Sequence, residues 1–340
     1  MSEPTEKRRR PSALYWIFTI GLVLALGVSI FMNVGLGLAL SLTSSGHTSE
    51  PDLPVDQYPE FDEEWSYGTG TVKVARMELT GFIIRESDGG WLEPEMDHIS
   101  RLQLAIRAAT RDPEIKAIIL EVDSPGGSVT ASDELYHELM LFRAADEDRK
   151  VVVFLRDTAA SGAYYVAMAG HWLIAQPTSI IGSIGVIMQT LNWSQLSDRM
   201  GVTDTTIKSG DNKDLLNPFR ATDTNQVVLL QEVVDQLYDR FRGIVATSRN
   251  VEDRQLDVLA DGRIFSAEKA LEENLIDEIG YWDQAVNKTA ELLGVDDIKV
   301  VRYYQPYGLF DFVFGSANLK RLLPDALANR APRLEYRWQP

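Results

Sequence analysis

Ser161 lies where a buried strand is expected to turn into a helix. It follows the apolar run Val151–Leu155 and sits among small residues in the stretch DTAASGAYYVAMAG. Serine before a helix most often serves as an N-cap, whose hydroxyl accepts a backbone N–H. The same position, beside the positive end of a helix dipole, also suits a nucleophile that develops negative charge. The elbow motif G-x-S-x-G does not occur in the sequence, so an α/β-hydrolase fold is not supported.

A pair of glycines follows another buried strand, in VDSPGGSV. Pro125 with Gly126 and Gly127 is by itself an ordinary turn signal. A functional interpretation is that the glycines let backbone N–H groups point at a substrate carbonyl beside the helix that begins near Ser128. The motif thus predicts either a plain turn, which is the commoner case, or an oxyanion hole.

A serine nucleophile needs a base, and the four histidines are poorly placed for that role. His47 lies in an acidic linker, and His98 and His137 have charged helical neighbours. His171 lies one helix beyond Ser161, at the start of the next strand, so its side chain is expected to point away. The search for a base therefore turns to lysine.

Two lysines in TDTTIKSGDNKDLLNP are candidates for the base. Lys208 follows the alternating run Val202–Ile207, which predicts a strand that would hold the lysine at its end. Lys213 is followed by Asp214, which would favour the charged form of the amine. Lys208 is therefore the predicted base, although a solvated loop charge is the simpler interpretation of both lysines.

The elements that position these residues alternate between strand and helix. Apolar runs lie at 72–79, 117–122, 151–155 and 172–175, and helical patterns at 97–109, 131–145 and 161–169. This alternation predicts right-handed βαβ units and a largely parallel sheet. Further along, the patterns predict a long amphipathic helix at Thr222–Arg249, a short strand at Arg263–Phe265 and a helix capped by Ser266.

Composition excludes several classes of function. The 340 residues carry 50 acidic and 33 basic side chains, for a net charge of −17. Such a charge disfavours a nucleic-acid partner, since no basic patch lies beyond the extreme N-terminus. The chain has no cysteine, so thiol catalysis, thiolate metal sites and disulfides are excluded. H-E-x-x-H and P-loop patterns do not occur either, and we expect no metal and no cofactor.

The N-terminus predicts a membrane anchor. Lys7 and three arginines precede the stretch Ala13–Thr43, which has no charge and exceeds the ~20 residues that span a bilayer. A cleavable signal peptide is the alternative, but its apolar region would be about 7–15 residues long. The basic flank is expected to stay in the cytoplasm, which places the rest of the chain outside.

The predicted organisation has five parts. They are a cytoplasmic basic tail at 1–13, a transmembrane anchor at 14–42, an acidic linker at 43–70, a catalytic domain at 71–303 and a C-terminal tail at 304–340 without an assigned role.

Taken together, the motifs resemble a known family. VDSPGGSV, AASGAYYVAMAG, IIGSIGV, TTIKSG and ADGRIFSAEKALEENLIDEIG occur in the order and spacing of bacterial signal peptide peptidase A, in its short single-module form. The resemblance implies a crotonase- or Clp-protease-like α/β fold and a serine endopeptidase that cleaves apolar peptides such as remnant signal peptides. It implies Ser161 as nucleophile, Lys208 as general base and the backbone N–H groups of Gly126, Gly127 and Gly162 as oxyanion donors.

The resemblance also implies an assembly and a location. Members form homo-oligomers in which the serine and lysine of one site come from neighbouring subunits, and they lie in the bacterial cytoplasmic membrane with the catalytic domain outside the cytoplasm. Three alternatives remain open. They are a related Ser-Lys membrane peptidase with another membrane-protein substrate, such as the stomatin-associated group, a crotonase-like acyl-CoA enzyme, and a scaffold without activity.

Overall fold

The computed structural model describes residues 13–44, 59, 61–85, 96–304 and 334–337. The chain divides into two units, Met1–Pro54 and Val55–Pro340. In the first unit, helix α1 (Ala13–Ser44) contains a segment, Trp16–Leu36, with a mean hydropathy of 2.3. It is long and apolar enough to cross a membrane, a test that an N-terminal signal sequence also passes.

The second unit is a layered α/β structure. Its strands are β1 Asp62–Tyr67, β2 Val72–Thr80, β3 Ile115–Ser124, β4 Gly126–Ser128, β5 Lys150–Ala160, β6 Trp172–Ala175, β7 Ile180–Gly182, β8 Ile187–Met188, β9 Ile264–Ser266, β10 Glu278–Ile279, β11 Ile298–Tyr304 and β12 Leu334–Arg337. Its helices are α2 His98–Arg111, α3 Val129–Ala144, α4 Gly162–Ala167, α5 Ser194–Met200, α6 Thr224–Arg249, α7 Asp253–Leu259, α8 Ala267–Glu272 and α9 Trp282–Leu293.

The main sheet is largely parallel. Among the described residues its strand order is β1-β11-β2-β3-β5-β6-β10, with β7 pairing with the far end of β5 and β9 pairing with β7. All these pairs are parallel except β1 with β11 and β7 with β9. A small second sheet has the order β4-β12-β8, with both pairs antiparallel. The predicted α/β fold of the crotonase and Clp-protease type is confirmed.

The central strands are buried on both faces because helices cover the sheet on both sides. In β3, Ile118 and Leu120 belong to the larger core with residues of α2 and α3, whereas Ala117 and Ile119 face a second core with residues of α9. This is why β3 and β5 read as continuous apolar runs rather than as alternating ones. The carboxyl ends of β3 and β5 lead into the residues singled out as candidates for chemistry.

Three parts of the chain differ from the sequence-based expectation. Strand β1 lies within the predicted acidic linker and pairs with β11, so the sheet begins earlier than expected. The predicted strand at Val202–Ile207 is a loop, because no strand of the described part of the chain pairs with it and Ile207 is 98% exposed. The C-terminal tail supplies β12 to the second sheet.

Candidate active site

Ser161 occupies a sharp turn between β5 and α4. Its backbone has φ 56° and ψ −119°, values that glycine adopts easily and other residues avoid. The turn is fixed by two backbone bonds, from the Ser161 N–H to the Gly182 carbonyl at 2.7 Å and from the Tyr165 N–H to the Ser161 carbonyl at 2.9 Å. Such strain in an over-determined setting is typical of functional sites.

The Ser161 hydroxyl does not cap the helix that follows it. Ser161 stands at the N-cap position of α4, yet its side chain makes no capping hydrogen bond. The residue is 1% exposed, so the hydroxyl lies nearly buried beside the helix N-terminus, where partial positive charge favours an anionic oxygen. The interpretation of this hydroxyl as a helix cap is therefore wrong.

The glycine pair forms the short strand β4, which contacts α4. Ile83 pairs with it, because the Ile83 N–H donates to the Gly126 carbonyl at 2.9 Å and the Ser128 N–H donates to the Ile83 carbonyl at 2.8 Å. A side chain at Gly127 would place Cβ 2.3 Å from that carbonyl oxygen, so only glycine fits. Since N–H groups alternate in direction along a strand, the Gly127 N–H points away from Ile83.

The backbone N–H of Gly126 has a hydrogen-bond partner next to it in the chain. The Gly126 N–H donates to the hydroxyl of Ser124 at 3.1 Å, and its φ of 92° again requires glycine. An N–H already bonded inside the protein is not free to bind a substrate oxygen. The Gly127 N–H points towards β12, where Gly127 pairs with Tyr336, so it is available to a substrate carbonyl only when a peptide takes the place of β12.

A stretch of the chain's own C-terminal tail lies in the second sheet, antiparallel to two strands at once. Strand β12 pairs Tyr336 with Gly127 on one side and Glu335 with Ile187 on the other. Strand β12 also contacts α4, whose first residue follows Ser161. The gap between β4 and β8 therefore accepts an extended polypeptide beside the serine, in the manner of peptide recognition by strand addition.

Among the described residues, no histidine forms a hydrogen bond with Ser161. His171 Nδ1 accepts the Val151 N–H at 3.0 Å, and burial is the main reason that its pKa is lowered to about 4. Val151 lies near the start of β5, ten residues before Ser161, which is on the order of 30 Å in an extended chain. His98 contacts the Phe82 carbonyl through Nε2, and His47 lies outside the described residues.

The two candidate lysines lie in the exposed loop between α5 and α6. Lys208 donates through Nζ to Asp214 Oδ1 at 2.7 Å and to the Asp211 carbonyl at 2.7 Å. Lys213 forms no ion pair with any of the described residues. The prediction of Lys208 rests on a strand at Val202–Ile207 that would hold it and on Asp214 keeping Lys213 charged. Neither premise holds in the structure, because Val202–Ile207 is a loop and the Asp214 carboxylate binds Lys208.

The structure does not bring serine and lysine together within one chain. Among the described residues, no hydrogen bond or ion pair joins Ser161 to Lys208 or to Lys213. The Asp214 carboxylate instead joins Lys208 to Arg220, whose Nη1 lies 2.9 Å from Asp214 Oδ2. The pKa of the Asp214 carboxyl is lowered, mainly by its hydrogen bond with Lys208.

Two contributors to the site were not identified from the sequence. The Gly182 carbonyl accepts a hydrogen bond from the Ser161 N–H, and the φ of 104° at Gly182 again requires glycine. It lies in the motif IIGSIGV, whose sequence alone predicts no role for it. Asp214 was noticed only as a neighbour of Lys213. The motif could have pointed to Gly182, whereas sequence spacing alone could not have paired Asp214 with Lys208.

Comparison with known proteins agrees with this geometry. The model for Peptidase family S49 matches residues 143–296. A relative from Enterococcus faecium, named as signal peptide peptidase SppA, is 31% identical over 242 residues, which cover 71% of this chain and 70% of the relative. The chain belongs to peptidase family S49, the signal peptide peptidase A family. The resemblance seen in the sequence is thereby confirmed, and the chain is a peptidase.

Other members of family S49 differ in length. A protease of Synechocystis sp. is 35% identical over 240 residues, which cover 69% of this chain and 80% of the relative. The chloroplast serine protease SPPA of Arabidopsis thaliana is 29% identical over 248 residues, which cover 71% of this chain but 36% of that protein.

Proposed function

We propose that the chain is a membrane-anchored serine endopeptidase that hydrolyses apolar peptides such as cleaved signal peptides. The observation that carries the proposal is the Ser161 hydroxyl, which makes no capping bond in a strained turn at a helix N-terminus. The pairing of β12 with β4 and β8 supports a peptide substrate, because that position accepts an extended chain. The name of the Arabidopsis relative supports serine chemistry.

In the proposed reaction, Ser161 Oγ attacks the scissile carbonyl while a lysine amine takes the hydroxyl proton. The resulting oxyanion accepts hydrogen bonds from the backbone N–H groups of Gly127 and Gly162. Gly126 supports the turn, because its own N–H donates to the Ser124 hydroxyl. The lysine then returns the proton to the leaving amine, which departs as the peptide bond breaks. Water, deprotonated by the same lysine, hydrolyses the acyl-enzyme and restores Ser161.

The base of the dyad is one of two lysines. Lys208 was predicted from the sequence, but its ammonium donates to Asp214 and to a backbone carbonyl. An amine held in this way must leave both acceptors before it can take a proton from a serine. Lys213 is exposed and has no ion pair among the described residues, so we propose Lys213 as the base and retain Lys208 as the alternative that the experiment below must exclude.

We further propose that the active site is shared between subunits of a homo-oligomer. The exposed segment around α5 and the start of α6 carries large apolar side chains, including Leu191, Met200, Ile207 and Val228, which are 58–98% exposed. A second copy covering this surface would bury it and bring a lysine to the serine of its neighbour. The burial would also remove water from the amine, which lowers the cost of its neutral form.

Helix α1 would anchor the protein in the bacterial cytoplasmic membrane. Its apolar length fits a bilayer, and the basic N-terminal flank favours a cytoplasmic N-terminus with the catalytic unit outside. Cleaved signal peptides remain in that membrane, so an anchored peptidase would meet them there. Protease added to spheroplasts should digest the catalytic unit, and full protection would reverse this orientation.

Labelling by a fluorophosphonate, with the modified residue mapped by mass spectrometry, tests the proposed nucleophile. Full-length protein in detergent should be labelled on Ser161, and Ser161→Ala should be neither labelled nor active on an apolar peptide. Wild-type turnover in Ser161→Ala would remove this serine from the mechanism. Turnover of an acyl-CoA thioester but not of any peptide would favour the crotonase-like alternative.

The two lysines are separated by arginine variants, because arginine does not deprotonate in a protein. Lys213→Arg should be inactive, whereas Lys208→Arg should keep activity. The reverse result, with Lys213→Arg active and Lys208→Arg inactive, would assign the base to Lys208 and leave the serine peptidase itself in place.

A further inference from the structure

We infer that Lys208 is a positioning residue that, through Asp214 and Arg220, holds the loop that presents Lys213. This loop, residues 202–221 and here called the lysine loop, lies between α5 and α6. The inference rests on the proposed Ser-Lys function with Lys213 as the base. It gives Lys208 a role that does not involve the transfer of a proton.

The Asp214 carboxylate is the centre of the lysine loop. Its Oδ1 accepts Lys208 Nζ at 2.7 Å and its Oδ2 accepts Arg220 Nη1 at 2.9 Å. The Asp214 side chain is only 12% exposed, against 26% for Lys208 and 41% for Arg220. One carboxylate thus links Lys208, which precedes it by six residues, to Arg220, which follows it by six. Lys213 lies between these two residues in the chain.

Two further contacts to the carboxylate of Asp204, one ionic and one from an amide, extend the link. Arg220 Nε donates to Asp204 Oδ2 at 3.1 Å, and the same oxygen accepts Asn217 Nδ2 at 3.0 Å. The lysine loop contains no helix or strand, so these side-chain contacts take the place that a backbone ladder has elsewhere. A network of charge-assisted bonds to a shielded carboxylate is stronger than an isolated surface pair.

The backbone next to Lys213 is shaped by turns that depend on these contacts. The Lys213 N–H donates to the Gly210 carbonyl at 3.1 Å, and the Asn217 N–H donates to the Asp214 carbonyl at 3.1 Å. Leu216 has a φ of 56°, which a leucine adopts only when its surroundings impose it. The rigid conformation of the loop therefore depends on contacts made by Asp214 and its two cations.

The lysine loop is attached to the rest of the unit near its two ends, and at the first end the Val202 N–H donates to the Ser197 carbonyl at 2.9 Å. The Asn192 side chain donates to the Arg220 carbonyl at 2.7 Å, and the Trp193 N–H donates to the Pro218 carbonyl at 2.6 Å. Loss of the Lys208 contact would free the middle of the loop, where Lys213 lies. A displacement of about 1 Å in a catalytic group can cost on the order of 100-fold in rate.

The experiment compares variants of Lys208 in the full-length protein in detergent, with turnover of an apolar peptide as the readout. Lys208→Met, which cannot form the ion pair, should lower kcat about 10- to 100-fold with little change in KM. Lys208→Arg should restore most of kcat, because arginine can pair with Asp214, and the acid limb of its pH profile should coincide with that of the wild type. Asp214→Asn should lower kcat as much as Lys208→Met does. The double variant that carries both changes should have a kcat no lower than the less active single variant, because both changes remove the same ion pair.

Lys269→Met is the matched control, because Lys269 also pairs with carboxylates, those of Glu272 and Glu273, but lies outside the site. It should keep full activity. Thermal melting should show that each variant is folded, and Lys208→Gln replaces Lys208→Met if the latter is not.

Two results would overturn the inference. Wild-type kcat in Lys208→Met or Lys208→Gln would show that the contact positions nothing, and an inactive Lys208→Arg would show that Lys208 is the base. Failure of the proposed function would look different, since it would appear as a wild-type protein without fluorophosphonate labelling of Ser161.

Discussion

At the scale of single residues, Ser161 combines a strained backbone with a hydroxyl that makes no hydrogen bond to the helix it precedes. Its φ and ψ of 56° and −119° match the first central position of a type II′ turn, where glycine is preferred. Ser161→Ala and Ser161→Gly should both be inactive, because each removes the nucleophile. The glycine variant should be more stable than the alanine variant by about 1 kcal/mol in urea unfolding, because it relieves the strain. Equal stability would show that the turn is unstrained.

His171 makes stability depend on pH although it takes no part in the reaction. Its pKa is about 4 in the folded chain against an ordinary 6.5, so the unfolded state binds more protons between these values. Stability is therefore fully present above pH 6.5 and falls as the pH drops towards 4. Because the ring is half-exposed, we expect a contribution of about 1–2 kcal/mol.

The variant His171→Asn isolates this contribution. Asparagine keeps an acceptor for the Val151 N–H but does not titrate. Urea unfolding at pH 7 and pH 4.5 should show a smaller loss of stability in the variant than in the wild type. An identical loss in both proteins would assign the pH dependence to other groups.

At the scale of elements, the short strand β4 depends on the close approach of a second backbone. Gly127→Ala would place Cβ 2.3 Å from the Ile83 carbonyl oxygen, so β4 or residues 82–84 must shift. We expect a loss of at least 1 kcal/mol in the free energy of unfolding together with most of the peptidase activity, because the proposed oxyanion donor moves.

Gly243→Ala serves as the control for β4. Gly243 lies within α6 and has open space where the new Cβ would go, so alanine should stabilise the helix by about 1 kcal/mol and leave turnover unchanged. Unaltered activity in Gly127→Ala would exclude the backbone of β4 from the site.

At the scale of the whole molecule, a site built from two chains can be tested by mixing. Ser161→Ala and Lys213→Ala should each be inactive alone, yet exchange of their subunits should restore part of the activity, because some sites would pair an intact serine with an intact lysine. Mixed oligomers are verified by two affinity tags. Mixed oligomers without activity would confine the serine and the lysine to one chain.

The exposed apolar surface gives a second test of the assembly. Ile207→Asp places a charge on a side chain that is 98% exposed, so a lone chain should fold as before. An oligomer that buries this position should dissociate and lose activity together, as sedimentation and turnover would show. A monomeric wild-type enzyme with full activity would contradict the shared site.

The sequence by itself determined the features that follow from local pattern. The apolar length of α1, the alternation of strand and helix, the position of Ser161 after β5 and the cap at Ser266 depend on residues close together in the chain, and the structure has each of them. Periodicity and capping act over one or two turns, so they can be read without knowing the fold.

Only the tertiary structure decided which distant groups meet. The run Val202–Ile207 alternates as a strand does, but a strand needs a partner, and this one has none among the described residues. The partner of Asp214 is Lys208 rather than its neighbour Lys213, and the tail at Leu334–Arg337 reaches β4 more than 200 residues earlier. These outcomes depend on competition between long-range contacts, which spacing along the chain does not encode.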